Sequence, residues 1–253
     1  MVFYFTATGN SLYVAKNLDK EYISIPQALK NSELSFKAEK IGIVCPVYGH
    51  EMPKMVKQFI SKAKFETEYL YVVLTYGGMH GGAAEIADEY IKSTGKKTAY
   101  VNTVIMVDNF LPNFDMIQQQ AVDKNVGGQL EQVKADIEAG IHKVQKASLK
   151  DRMVHKCYLM MVKNADETIW SKFKVKENCI GCGVCTRVCP GGCISVSDGT
   201  AQYNLANCQA CYACVHACVH KAIGFTIKEA NPDARYRHQS VTLDEIIAAN
   251  NQQ

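Results

Sequence analysis

No apolar run in this 253-residue chain approaches the length needed to cross a membrane. The opening residues, MVFYFTATGN, lack a basic stretch and a long apolar core, so they do not read as a secretory signal. Neither sign of charge is in large excess. The 28 Lys and Arg against 25 Asp and Glu leave +3, too little to argue for nucleic acid or an acidic membrane surface. No Ser-His-Asp set, no paired acid/base carboxylates, no helix-turn-helix pattern and no nicotinamide site is evident. The chain is long enough for one large or two modest domains. Eleven cysteines without a secretory signal indicate a reducing compartment, and the expected location is the cytoplasm.

Eight of those cysteines fall within 40 residues. Cys179, Cys182, Cys185 and Cys189 form C-x2-C-x2-C-x3-C, followed by Pro190. Cys208, Cys211, Cys214 and Cys218 repeat the spacing, each 29 residues after its counterpart. Thiolates are soft ligands that suit iron–sulfur clusters, zinc and Cu(I). A disulfide framework fits poorly with a long chain and no secretory signal. Structural zinc takes two ligand pairs separated by a spacer, and three cysteines at two-residue gaps are too tight for that. The spacing favours iron–sulfur. Gly181, Gly183, Gly191 and Gly192 let backbone pass close to an inorganic core and offer it N–H donors. Cys193, a ninth thiol in the stretch, reads as a small buried neighbour rather than a ligand.

Upstream, apolar strands alternate with helical patterns. Strands are expected at Val2–Phe5, Tyr22–Ile25, Lys40–Cys45, Tyr69–Thr75 and Thr98–Val107. Helices are expected at Ser11–Lys20, from Pro53 to Lys62, at Gly82–Ser93 and along Met116–Lys146, the last with Ile117, Val122, Leu130, Val133, Ile137, Ile141 and Val144 as a core stripe and a kink at Gly127-Gly128. Five strands in this alternation predict an open, doubly wound parallel α/β sheet, whose ligands bind beyond the carboxyl ends of the strands.

Three loops lie at those ends. Thr6-Ala7-Thr8-Gly9-Asn10-Ser11 combines hydroxyls, backbone N–H groups and a helix N-terminus, which together cradle a phosphate. It lacks the Gly-rich dinucleotide fingerprint and the GK[ST] of a P-loop, so a monophosphate is the expected guest. The same residue types also serve as an ordinary helix cap. In Pro46-Val47-Tyr48-Gly49, an aromatic next to glycine can cover a flat ring. Thr75-Tyr76-Gly77-Gly78 allows close backbone approach. His50 and His80 read as solvated loop residues.

The phosphate loop resembles that of flavodoxins, T/S-x-T-G-N-T/S, and every defining position matches. The stretch CIGCGVCTRVCPGGCISV…CQACYACVHACVHKAIGF resembles a two-cluster bacterial ferredoxin over about 50 residues, departing from it at Val219, where that family usually has proline. Together they resemble a fusion family of anaerobes, which the segments PVYGHEMP, TYGG and RYRHQSVTLDEII also fit. The resemblance implies a flavodoxin-like domain over 1–147, a packed connector over 148–172, a two-cluster ferredoxin-like α+β domain over 173–227 and a tail over 228–253 with a short helix at Leu243–Ala249. It implies FMN on the three loops, and two [4Fe–4S] clusters. The fourth cysteine of each run would serve the other cluster. That gives Cys179, Cys182, Cys185 and Cys218 to the first and Cys208, Cys211, Cys214 and Cys189 to the second. The connector carries Val154, Tyr158, Leu159, Met160, Met161, Val162 and Trp170, an apolar content unlike a Gly/Ser spacer.

The function implied is electron transfer between FMN and the clusters, coupling two-electron to one-electron steps, with redox proteins or small molecules as donor and acceptor. Two alternatives stay open. One is an FMN-dependent reductase of a quinone, nitro compound or metal chelate; the other is a redox-sensing interaction module. Because Tyr76–Ala84 contains no Asp or Glu, full reduction of the flavin is expected to be easier than in flavodoxins with acidic loops.

Overall fold

The computed structural model describes residues 1–163 and 172–253. Trp170 of the expected connector lies outside them. The elements run β1 (Val2–Tyr4), α1 (Asn10–Leu18), β2 (Tyr22–Ser24), α2 (Ile25–Ala28), β3 (Ser35–Lys37), β4 (Lys40–Pro46), α3 (Lys54–Lys62), β5 (Lys64–Glu66), β6 (Tyr69–Tyr76), α4 (Ala83–Ser93) and β7 (Tyr100–Ile105). They continue with α5 (Met116–Ala121), α6 (Val126–Glu138), β8 (Lys143–Val144) and α7 (Leu149–Val162). The cysteine-rich part contributes β9 (Phe173–Val175), α8 (Val184–Arg187), β10 (Ile194–Ser197), β11 (Thr200–Tyr203), α9 (Ala213–His216) and β12 (Ile223–Phe225), and the tail ends in α10 (Leu243–Asn250).

The large sheet is parallel throughout, in the order β2-β1-β4-β6-β7-β8. From β1 the chain steps out to β2 and returns to β4 on the other side. The order therefore reverses at β1, and the crevice for a ligand opens there, beyond Tyr4 and Pro46. The centre of β4 and almost all of β6 are buried, as the apolar runs require of strands covered on both faces. Packing there is tight: a Cβ on Gly42 would lie 2.3 Å from the Tyr71 ring. Phe3 meets Phe36 and Phe59 at centroid distances of 4.4 and 4.9 Å, joining the sheet to α3 and to the β3–β5 ribbon.

Two expectations are corrected. The helix expected over Met116–Lys146 is broken after Ala121, because Asn125 turns into the left-handed region (φ 46°) and caps α6 by accepting from Gly128 N at 3.3 Å. Gly127 and Gly128 thus occupy a first helical turn and not a kink. Leu130, Val133 and Ile137 are core, whereas Ile117, Val122 and Ile141 are exposed. The end of the stretch adds the two-residue strand β8 to the five expected.

The cysteine-rich part is built from two antiparallel ribbons, β9–β12 and β10–β11, with the short helices α8 and α9 carrying Cys185 and Cys214. The tail returns across the first domain. Thr242 and Glu245 form a capping box that starts α10. At its far end, Ser24 Oγ donates to Ala249 O and Asn250 Nδ2 donates to Thr6 O at 2.9 Å.

Candidate functional site: one cofactor cavity and two cysteine-lined cavities

A cavity of about 460 Å³ opens at the carboxyl ends of β1, β4 and β6. That is within the range of cofactor pockets, about 300–1,000 Å³. Its wall includes Thr6, Ala7, Thr8, Asn10 and Ser11 from the first loop, Pro46, Val47, Tyr48 and Gly49 from the second, and Thr75, Tyr76, Gly77 and Gly78 from the third. Gly9 is not on the wall; it begins α1 from the left-handed region, φ 102°. His50 is on the wall and buried.

The phosphate loop is not an ordinary cap. The N-cap of α1 is Gly9, no side chain caps the helix, and its first turn has no acidic residue. The first-turn amides and the positive end of the helix dipole are left to an anion. The loop is braced from several elements. Gly9 N donates to Thr6 Oγ1 (3.1 Å), Asn109 Nδ2 to Thr8 Oγ1 (2.9 Å), Asn10 Nδ2 to Val107 O (3.0 Å) and Tyr236 OH to Asn10 Oδ1 (2.6 Å). Thr8 O accepts from His238 N at 2.8 Å. Tyr48 lines the cavity with its ring, while its hydroxyl is sealed from solvent and has no hydrogen-bond partner among the described residues. An anion cradle beside an apolar slot suits the FMN that the sequence suggests.

Sequence reasoning missed a fourth loop. Residues Val107–Phe110, together with Asn113 and Phe114, line the cavity after β7. A signal was present, since Asp108 and Asn109 follow a strand as the other three loops do. Asp108 changes the charge expectation: the acid absent from Tyr76–Ala84 arrives from this neighbour. A Cβ on Gly77 would lie 2.2 Å from Asp108 Cβ. Burial pushes the Asp108 carboxyl up, opposed by hydrogen bonds from the Phe110 and Gly78 amides and by Lys124. Lys124 Nζ donates to Met106 O at 2.8 Å and to Gly77 O at 3.3 Å, bracing the third loop.

Helix α7 contributes to the cavity wall. Tyr158 and Met161 of α7 line it, yet no residue of α7 is fully buried. The helix is held by polar contacts: His50 Nδ1 to His155 Nδ1 at 3.3 Å, Arg152 to Glu85 at 2.8 Å, and His80 to Asp151 at 3.7 Å. Burial first, then the charges of His155 and His80, push the His50 pKa down, while Asp151 opposes them.

Ala210 and Tyr212, on either side of Cys211, also line the cavity. Both adopt positive φ, 48° and 62°, a strained choice for residues with a Cβ. Tyr212 packs against Phe110, with centroids 5.8 Å apart.

Two further cavities lie in the cysteine-rich part. Cys179, Cys182, Cys185 and Cys218 line one; Cys208, Cys211, Cys214 and Cys189 line the other, with Cys193. Backbone N–H groups point at the cysteine sulfurs: Cys193 N to Cys189 Sγ and Ala222 N to Cys218 Sγ at 3.3 Å, and Ala210 N to Cys208 Sγ at 3.4 Å. Such donors tune iron–sulfur clusters. Hydrogen bonds from Cys193, its thiol first, pull Cys189 down to about 6, favouring the thiolate that a metal needs. Among the described residues no group of three or more His, Cys, Asp or Glu forms a single-ion site.

His216 ties these parts together. Its Nδ1 accepts from Tyr236 N at 3.0 Å, so the proton is on Nε2, which donates to Asn109 O at 2.9 Å. Burial pushes its pKa down to about 4 and keeps the ring neutral.

Comparison with known proteins follows the same division. Residues 1–126 match the family described as Flavodoxin domain, and residues 171–219 match the one described as 4Fe-4S dicluster domain. A stretch of 45 residues is 47% identical to one component of the ion-translocating oxidoreductase complex of Methanosarcina acetivorans. It covers 18% of this chain and 17% of that protein, so the chain spans well under two thirds of the relative's length. No helix among the described residues is long and apolar enough to cross a membrane.

Proposed function

We propose that the chain is an electron-transfer protein that passes electrons between FMN and two [4Fe–4S] clusters, a reading supported by the flavodoxin-domain match over residues 1–126 and the 4Fe-4S dicluster match over residues 171–219. When bound, FMN exchanges electrons singly or in pairs and each cluster exchanges one, so together they convert between the two kinds of step. In this reading Thr6–Ser11 hold the phosphate, Tyr48 and Tyr76–Gly78 border the ring, and Asp108 sets the charge beside it. Cys179, Cys182, Cys185 and Cys218 would hold the first cluster, and Cys208, Cys211, Cys214 and Cys189 the second.

The observation that carries this reading is the position of Ala210 and Tyr212 on the wall of the cofactor cavity. They flank Cys211, so the second cysteine set is the one beside FMN. Cys182 of the first set is exposed, as are Ile180 and Val219, which suits an outer port. A reductase of small electrophiles would need an open ring face. Tyr158 and Met161 share the cavity wall without closing it, so turnover of a quinone, nitro compound or metal chelate by the loaded chain, with no protein acceptor, would favour the reductase over the carrier.

Anaerobic purification followed by iron, sulfide and flavin analysis tests the assignment. The expected content is about eight irons and one FMN per chain. Zinc in place of iron, or absence of flavin, would overturn it. Stopped-flow spectra should then show reducing equivalents added to the flavin appearing in the clusters without a second protein.

A further inference from the structure

The outward face of α7 is unlike the rest of the surface. Leu149, Met153 and Met160 are 87, 63 and 70% exposed. Their spacing puts them on one side of the helix, away from His155 and Tyr158. Cys157 shares that side and is exposed. The exposed cations Lys150, Lys156 and Lys163 border the stripe, and Arg152 beside them is paired with Glu85 at 2.8 Å. The helix's acid, Asp151, is engaged with the Ser148 cap and His80. A contiguous apolar stripe on a monomer's surface marks an interaction site, and methionine is favoured where such a site must adapt to a partner.

We propose that this face docks an acidic electron-carrier protein that exchanges electrons at the flavin end of the chain, an inference that rests on the function proposed above. Three observations choose the occupant. The basic rim is complementary to an acidic partner and would repel a second copy of this chain. The stripe is narrow and has no outward aromatic residue, unlike helices that bury one face in a bilayer. The inner side of α7 supplies Tyr158 and Met161 to the cofactor cavity. A partner seated outside would therefore be separated from that cavity by one helix, about 10–12 Å across.

The test uses the chain purified with its flavin and iron, and an acidic plant-type ferredoxin as the probe. Calorimetric titration at about 0.05 M salt should show binding that weakens severalfold at about 0.5 M. Bound probe should slow alkylation of Cys157, read by peptide mass. The double substitution Met153→Glu, Met160→Glu changes exposed side chains only. It should cost about tenfold or more in affinity with flavin and iron content unchanged. Ile180→Glu, at the outer cluster, should leave this affinity as it was. Failure of the wild type to bind at low salt would overturn the proposal. So would unchanged binding by the double variant, concentration-dependent dimerisation through this face, or binding to phosphatidylserine vesicles that the double substitution abolishes. Flavin and iron measured on the same samples distinguish failure of the docking site from failure of the redox assignment.

Discussion

His216→Leu tests whether the two domains and the tail form one cooperative structure. The imidazole makes two hydrogen bonds to separate segments, Tyr236 N at 3.0 Å and Asn109 O at 2.9 Å. Leucine fills the volume without replacing either. Tyr236 N would be buried without a partner, costing about 1–3 kcal/mol, and the part-buried bond to Asn109 is worth about 0.5–1.5 kcal/mol. The expected loss is about 2–4 kcal/mol, read as a lower urea midpoint of the flavin- and cluster-loaded chain. A second readout separates this role from simple packing. Asn109 also holds Thr8 Oγ1, and Tyr236 also holds Asn10, so FMN affinity should fall although His216 does not line the cavity. His216→Gln, which keeps a donor and an acceptor, should recover part of both losses. A destabilisation below about 1 kcal/mol with unchanged FMN affinity would refute the reasoning.

Gly77→Ala forces a methyl to within 2.2 Å of Asp108 Cβ. An overpacking cost of about 1–3 kcal/mol should appear as weaker FMN binding in a fluorescence titration. Asp108→Asn removes a carboxyl from the ring's wall and should make full reduction of bound FMN easier, measured by spectroelectrochemistry. His50 has a folded-state pKa below its ordinary value, so it is neutral while α7 is docked. Its contribution to docking is present above the unfolded pKa, about 6.5, and is lost as pH falls through the lowered value. Amide protection factors in α7, referred to the intrinsic exchange rate at each pH, should therefore fall on acidification from about pH 7.5 to about pH 5.5, and His155→Ala should weaken that pH dependence. Glu229 pairs with Arg235 at 3.0 Å with both largely buried, so Glu229→Leu should cost about 3–5 kcal/mol in denaturant unfolding by leaving Arg235 unpaired.

Local patterns in the chain spoke clearly where one segment does one job. Buried strands such as KIGIVC and YLYVVLT, the three loops that follow strands, and the cysteine spacing are each readable within a few residues. What could not be read were arrangements between distant segments. Asp108 carries no local sign of its closeness to the third loop, because its contact with Gly77 is made between the ends of two neighbouring strands. Tyr158, Met161, Ala210 and Tyr212 reach the cavity only through packing between domains, which leaves no local period. The break at Asn125 was hidden because helical periodicity on both sides is real, and a single left-handed residue interrupts it. The tail helix was expected over Leu243–Ala249, but its grip on Thr6 was not.

That grip imposes an order of assembly. The phosphate loop is translated well before its partners Tyr236 and Asn250, which follow 226 and 244 residues behind Asn10 and Thr6. At a translation rate of about 5–20 residues per second, the gap is about 10–50 s. The cysteine-rich part emerges within that interval, before the loop receives its last braces. On the function proposed above, clusters could load before the loop is fully braced. Because Ala210 and Tyr212 stand on the cofactor cavity and His216 holds Asn109, protein made in a cell short of iron should retain flavin poorly as well, although no phosphate-loop residue would have changed.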